Sequence, residues 1–577
     1  MGGIIENVLR PHNPLGNLGD YEKACRLFRW EQVEEQFSWS QTGRVNIAYE
    51  AIDRHAEDPS RAHKSALIYS GADREEMFTY DQMRSLSNKF ANVLRGLGVE
   101  RGDRVYLLLP RIPEMYIALV GCAKAGAVIA PLYDHYREDA VRERMLDSRG
   151  RVVLTVPELV ENIPFNSLPD LEHVILVGDP WRGMASWEKS FYREMSMASD
   201  CFPTAWVGRE HPLLLIYTAG AQGRPMGLIH VHDCMLGYLQ TARWVLDLRD
   251  DDVVWTVAQP GWLMNIVYGA FAPWLCGVEL FVKSQVDSAH DIYQAIQRRG
   301  VTVMYTYPGV YRWMMEAGEE AASAYDLGSL RHCCSALEPL TPDLIYWVLK
   351  VLKIPIHDTW WMAETGYIIV ANFPSMSIKP GFMGRPLPGI DVQVVDAQGN
   401  PLPPFTMGQL AIRTGWPGMA RGVWGDRERY WRYFSIPPWF ITGDQAYRDF
   451  NGYLYYQGRM DDVIVTRGGR VSPYEVEEVL TSHPAVAEAG VIRIQGPSGG
   501  KKIKAFIALR SPHRPTELLR AKILSFVQER LSEEVMPEEI EFCSSLPKNN
   551  SNKIIRRVLK AWEMGFPVGK LENLKQE

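Results

Sequence analysis

Apolar runs alternate with amphipathic stretches along most of this chain, in two distinct periods. Arg104-Val105-Tyr106-Leu107-Leu108-Leu109 is nearly all apolar and reads as a buried strand. Pro113 to Ala125 then reads as a helix and Ala127 to Pro131 as a further strand. The same alternation returns at Val152 to Val156, Val174 to Gly178, Leu213 to Ile216 and Val301 to Tyr307. Thr79-Tyr80-Asp81 opens a helix that runs through Ala91 and Leu94 and ends at Gly96 and Gly98. Asn46 to His55 has apolar positions three and four apart, again a helical spacing. Helix and strand in alternation predict an α/β fold with parallel-type layers. The first forty residues are polar and aromatic without a clear period.

Past Lys379-Pro380-Gly381 the period shortens to two. Val392 to Asp396 alternates, Ala397-Gln398-Gly399-Asn400 turns, and Gln409 to Arg413 returns, which predicts a beta-rich subdomain. Farther on, Tyr453 to Gln457 and Val463 to Thr466 flank a polar break at Gly458-Arg459-Met460-Asp461-Asp462. Gly468-Gly469 and then Ser472-Pro473-Tyr474-Glu475 mark a turn and the capped start of a helix. Strands near 463, at 487 to 493 and at Ile503 to Leu509, with helices at 475 to 481 and 517 to 531, complete a small α+β module. The expected division is a large multi-lobed N-terminal domain over residues 1–458 and a small C-terminal domain over 459–577.

Composition narrows the function. Hydrophobic residues make up 46% and charged residues 23%, as in ordinary soluble proteins. A formal charge of -7 argues against nucleic acid or a membrane surface as the main partner. Met115 to Leu132 comes nearest to a membrane span, but Lys124 and two glycines break it. No signal-peptide pattern opens the sequence, so a cytoplasmic location is expected. The eight cysteines show no Cys-x-x-Cys spacing and read as single buried thiols in a reducing cytoplasm. His230-Val231-His232 has a spacing that shares one strand face, but no further ligand cluster accompanies it.

Several runs carry chemistry. The strand at Leu213 enters Tyr217-Thr218-Ala219-Gly220-Ala221-Gln222-Gly223-Arg224-Pro225-Met226-Gly227, a glycine loop of the kind that wraps phosphates with backbone N–H groups. No Gly-Lys-Ser/Thr ends it, so it is not a Walker loop. Thr442-Gly443-Asp444, Asn451-Gly452-Tyr453, Gly458-Arg459-Met460-Asp461-Asp462 and Gly468-Gly469-Arg470 follow in order along one stretch. His357-Asp358-Thr359-Trp360-Trp361-Met362-Ala363-Glu364-Thr365-Gly366 and Lys548 to Arg557 complete the set. Together these runs resemble the AMP-forming acyl-CoA synthetases of the adenylate-forming superfamily, most nearly the acetyl-CoA synthetase branch. The resemblance extends from about residue 40 to 565.

What the resemblance implies can be placed residue by residue. Thr218, Gly220, Gly223, Arg224 and Gly227 fall in the phosphate loop. Glu338 and Pro339, with Asp358, Thr359 and Trp360, fall at the nucleotide. Asp444 would hold the ribose hydroxyls, Arg459 ribose and phosphate, and Arg470 lies on the face brought over the site in the second half-reaction, beside Gly468 and Gly469 for CoA. Trp262, Leu263, Met264, Ala336 and Trp361 would wall the acyl pocket, the Trp361 indole closing its floor against all but short acids. Glu364 would bind Mg²⁺ together with substrate phosphates. Lys553 would bridge acyl carboxylate and α-phosphate as charge develops. Asp461 would be the hinge on which a mobile C-terminal lid swings.

The chain departs from the family pattern at telling places. Ala219, Ala221 and Gln222 stand where hydroxyl residues are usual, and Met226 replaces a lysine. Charge-assisted donors to polyphosphate are worth roughly 1.5–3 kcal/mol each, so uncompensated losses cost on the order of 10³-fold. Leu337 occupies a glycine position, Ala363 a threonine and Asn552 a glycine. The expected activity is ligation of a small carboxylic acid to CoA with ATP and Mg²⁺, through an acyl-adenylate. The alternative is a catalytically weak paralogue that binds acyl-adenylate, AMP or CoA as a regulatory or complex subunit.

Overall fold

The apolar runs become strands of two mixed sheets in a computed structural model that describes residues 8–179, 183–219, 225–460, 464–466, 469–471, 473–495, 501–531, 536–548 and 554–563. Contacts divide the chain into two compact units. The first holds residues up to Asp391 together with Arg413–Arg432, and the second Val392–Ile412 with the chain from Tyr433 onward.

In the first unit, one sheet is built on parallel pairing of Arg104–Leu108 with Val128–Leu132 and Val152–Thr155. Apart from the half-buried Arg104, those strands are buried throughout, which explains why their sequences do not alternate. The Tyr80–Gly96 helix starts where expected, because Thr79 and Gln82 form a reciprocal cap with the main chain. Its Phe90 ring and the Ser87 carbonyl press on Gly121 of the Pro113–Ala125 helix so closely that a Cβ there would lie within 3.0 Å of both. The Asn46–His55 stretch folds into a π turn, Tyr49–Asp53, followed by a short α turn, Arg54–Glu57.

The second sheet of this unit has nine strands, five of which (Ser65–Ser70, Glu279–Lys283, Val253–Thr256, Val303–Thr306 and His332–Ser335) pair in parallel with one another and with Ile356–Trp360. Trp255, Phe281, Met304, Tyr311, Met314, Leu344 and Ile356 form its core, so Trp255 is a core residue. The N-terminal forty residues hold three short helices, Tyr21–Leu27, Trp30–Glu34 and Trp39–Thr42, that the sequence pattern did not reveal. Distant main-chain acceptors fix the first two: Tyr21 O–H donates to the Pro386 carbonyl and Trp30 Nε1–H to Gly389.

In the second unit Val392–Val395, Gly408–Arg413, Trp439–Arg448 and Leu454–Arg459 make a four-stranded sheet. Asp396 accepts from the N–H groups of Gln398 and Asn400, which closes the expected turn. Val486–Gln495, Lys501–Leu509 and Glu539–Cys543 form a separate sheet, packed by Val476, Leu480, Ile523 and Val527. No described helix is long and apolar enough to cross a membrane.

Candidate active site

Parallel pairing makes Val253–Thr256, Val303–Thr306, His332–Ser335 and Ile356–Trp360 end at one edge of the nine-stranded sheet. Open α/β sheets bind ligands outside that carboxyl edge. Three of these strands deliver expected residues, Trp262 to Met264 after the first, Ala336 to Pro339 after the third and Trp361 and Glu364 after the fourth, and the second delivers Tyr307, which the sequence did not single out.

The acyl-pocket candidates are brought together here. Trp262, Leu263, Met264 and Ala336 are all buried, while Trp361 is half-buried. Trp262 meets Tyr307 edge to face, and its buried Nε1–H has no hydrogen-bond partner among the described residues. Trp361 Nε1–H donates to Tyr305 Oη at 3.0 Å, and its ring meets Tyr268 at 5.5 Å in a T-shaped contact. Tyr268, Tyr305 and Tyr307 carry this architecture, and no sequence motif pointed to Tyr305 or Tyr307.

At the adenine segment, Leu337 adopts φ 77°, the left-handed conformation that glycine favours. The chain thus keeps a glycine-like backbone there with a half-buried leucine on it. Glu338 forms an ion pair with Arg312 of the Pro308–Ser323 helix, a partner 26 residues away in sequence. Asp358 and Thr359 are buried beneath. Burial pushes the Asp358 carboxyl well above its usual range, although it accepts from the Thr359 N–H. The Thr359 hydroxyl is committed to Tyr305 and to the Ser335 carbonyl. Trp360 ends the strand half-buried, and Pro339 is half-buried as well.

Glu364 sits half-buried on a 3-10 turn, Ala363–Thr365, that the Trp416–Ala420 segment holds in place. Trp416 Nε1–H donates to the Thr365 carbonyl, and the Ala420 N–H to that of Glu364. Gly366 has φ 83°, and a Cβ there would stand 2.2 Å from the Gly418 oxygen, so only glycine fits. Beneath the turn, burial lowers the His230 pKa to about 4, so the imidazole is neutral. His232 is likewise buried and accepts from the Ile47 N–H. Among the described residues no three His, Cys, Asp or Glu side chains gather as a metal cage. A single carboxylate completed by substrate phosphate oxygens suits Mg²⁺, and Glu364 fits that arrangement.

The phosphate-loop stem is the hairpin of Pro212–Ala219 and Pro225–Val231. Thr218 Oγ1 is buried there with no partner among the described residues, an unspent hydroxyl at the loop's entry. Met226 is buried, and its neutral thioether stands where the resemblance places an ammonium. Gly227 lies within the second strand, where a Cβ would press on Leu215, Tyr217 and Trp424. In the second unit, Asp444 and Arg459 are register partners and form an ion pair. Gly469 and the Arg470 main chain belong to a two-stranded ladder with Ile464–Thr466. Gly220, Gly223, Arg224, Asp461, Gly468 and Lys553 lie outside the described residues.

This geometry and the order of motifs agree with the outcome of the comparisons: the chain belongs to the AMP-binding enzyme family, matched over residues 53–424, with the AMP-binding enzyme C-terminal domain at 475–553. Among individual proteins, it is 46% identical over 563 residues to the acetyl-coenzyme A synthetase of Bacillus subtilis, covering 97% of this chain and 98% of that one. The acetyl-coenzyme A synthetase of Pyrobaculum arsenaticum is 35% identical, with 95% and 88% covered. A crystal structure of an anthranilate CoA ligase in complex with anthranoyl-AMP superposes with a TM-score of 0.82 at 29% identity, covering 90% of this chain and 97% of that one. The Brucella canis acyl-CoA synthetase gives 0.74 at 28%, with 94% and 99% covered.

Proposed function

We propose that this chain is an AMP-forming short-chain acyl-CoA synthetase, taking a small carboxylate, ATP and CoA to acyl-CoA, AMP and pyrophosphate in the cytoplasm. The observation that carries this reading is the 46% identity to an acetyl-coenzyme A synthetase over nearly the full length of both chains. It favours a ligase over the alternative of a catalytically weak paralogue.

In the first half-reaction, a carboxylate oxygen attacks the α-phosphorus of ATP, the bond to the β-phosphate oxygen breaks, and pyrophosphate leaves. Trp262, Leu263, Met264 and Ala336 exclude water around the acyl group, and the Trp361 indole limits its length. Glu364, on its pinned turn, is the protein ligand for Mg²⁺, which when bound neutralises phosphate charge. Thr218 Oγ1 donates to a phosphate oxygen, with Gly220, Gly223 and Arg224 beside it. The Leu337-Glu338-Pro339 segment, with Asp358 and Trp360, borders the base, and Asp444 and Arg459 hold the ribose. Lys553 places an ammonium at the carboxyl–phosphorus junction, where preorganised charge is worth most. A swing at Asp461 then exchanges Lys553 for the Gly468-Gly469-Arg470 face. The CoA sulfur attacks the acyl carbon, its thiol proton is released, and AMP leaves.

Acetate- or propionate-dependent exchange of labelled pyrophosphate into ATP tests the reading. Exchange that disappears in Lys553→Ala and CoA-dependent release of AMP are the expected results. Nucleotide or CoA binding without exchange in the wild-type protein overturns it.

A further inference from the structure

Four polar groups at the carboxyl edge of the nine-stranded sheet form a hydrogen-bonded chain whose direction chemistry fixes. An indole nitrogen only donates, so the 3.0 Å contact makes Tyr305 Oη the acceptor from Trp361. The Thr359 hydroxyl has one proton, and the Ser335 carbonyl, 2.7 Å away, can only accept it. Tyr305 must therefore give its own proton to Thr359 Oγ1, also at 2.7 Å. The order is Trp361 N–H to Tyr305 O–H to Thr359 O–H to the Ser335 carbonyl, which immediately precedes Ala336 and Leu337. Tyr268 braces the same assembly, edge to face with both Tyr305 and Trp361 at 5.2 and 5.5 Å. Its own hydroxyl is held by Thr241 at 2.9 Å and accepts from the Ile368 N–H. Tyr268 and Tyr305 are fully buried, whereas Trp361 is half-buried. The rigid members thus lie behind the indole.

The geometry points to Tyr305 as a positioning residue for acid selectivity: its hydroxyl fixes the tilt of the Trp361 indole and ties that wall to the Ala336–Leu337 segment. This rests on the short-chain ligase reading and deepens it. An indole held only by its Cβ and by ring contacts turns and admits more carbons. An indole anchored at Nε1 does not, so the same side chain excludes longer acids more sharply when Tyr305 is present. The sequence hides this, because Trp361 is 56 residues from Tyr305 and follows a strand, Ile356–Trp360, that is not a neighbour of the strand carrying Tyr305.

The test is Tyr305→Phe, which keeps the ring and removes the hydroxyl that accepts from the indole N–H. The ratio of kcat/KM for acetate to that for butyrate is expected to fall roughly tenfold, the scale on which one or two methylenes are told apart. The KM for butyrate should carry most of the change. Trp361→Phe and the double variant complete a cycle. If Tyr305 acts through the indole, the double variant has the selectivity of Trp361→Phe alone, while independent effects multiply. Calorimetric titration with adenosine 5′-ethylphosphate and 5′-butylphosphate reads the same discrimination without turnover. Wild type that binds both but shows no acid-dependent exchange overturns the ligase reading. The ratio of the two affinities in Tyr305→Phe then still decides the positioning role. A folded Tyr305→Phe with wild-type selectivity by both readouts, or multiplying effects in the double variant, overturns the inference. Should Tyr305→Phe fail to fold, Thr359→Val removes the next link and carries the same expectation and the same refutation.

Discussion

Asp444 and Arg459 face each other as register partners on adjacent antiparallel strands, with Arg459 Nη1 3.4 Å from Asp444 Oδ1. The carboxylate is buried and the guanidinium 45% exposed, so the pair contributes little to stability. In the proposed ribose site the pair would aim that carboxylate. Asp444→Asn is expected to raise the KM for ATP by roughly 10- to 100-fold, the worth of a charged acceptor to ribose hydroxyls. Urea unfolding should move by under about 1 kcal/mol. Steady-state kinetics with varied ATP, beside a urea titration, checks both halves.

Leu337 carries a left-handed backbone at a cost of about 1–2 kcal/mol relative to glycine. Leu337→Gly relieves that strain, removes one half-buried side chain, and lets a flat ring lie against the main chain. The expected result is a KM for ATP lower by about fivefold, as ~1 kcal/mol implies, with the KM for acetate unchanged. A higher KM for ATP would show that the leucine contacts the base favourably.

Asp53 and Lys124 form a buried ion pair at 2.6 Å, and the ammonium also donates to Asn88 Oδ1 and to the Arg84 carbonyl. The Asp53 carboxylate is thus a structural partner of Lys124. Asp53→Asn leaves a buried cation without its counter-ion and should cost about 3 kcal/mol. Adding Lys124→Met should recover part of that loss, because the uncompensated charge goes with it. Urea unfolding of the two single variants and the double variant measures the coupling.

Five buried histidines set the acid limit. Burial lowers His55, His232 and His332 to about 3, His230 to about 4, and His357 well below its ordinary value. Below the unfolded pKa near 6.5 the unfolded chain therefore binds more protons, and stability falls as pH falls from there. Each histidine adds up to ~1.4 kcal/mol per pH unit to that slope. Asp358, whose pKa burial raises, keeps its proton in the folded state above the usual carboxylate range and offsets part of the loss. His232→Asn retains an acceptor for the Ile47 N–H and should reduce the slope between pH 6 and 5 by about one proton. Urea titrations at intervals across that range provide the measurement.

Contiguous motifs were legible because their chemistry is local. The Thr79-capped helix, the Pro113–Ala125 helix, the buried Val, Ile and Leu strands, and the runs around Asp358–Gly366 and Asp444–Arg459 each sit within one stretch of chain. Backbone periodicity and capping depend on residues a few positions apart, so the amino-acid order alone fixed them. It also marked Met226 and Leu337 as departures, and both proved informative once their burial and backbone angle were known.

Only the tertiary structure chose partners. Trp361 with Tyr305, Glu338 with Arg312, Asp53 with Lys124, and the N-terminal helices with Pro386 and Gly389 are pairs that no spacing rule announces. The reason is the strand order, in which Val253–Thr256 lies between Glu279–Lys283 and Val303–Thr306. Side chains meet across such a sheet according to which strands are neighbours and which edge they share, and burial then decides which polar atoms must find each other.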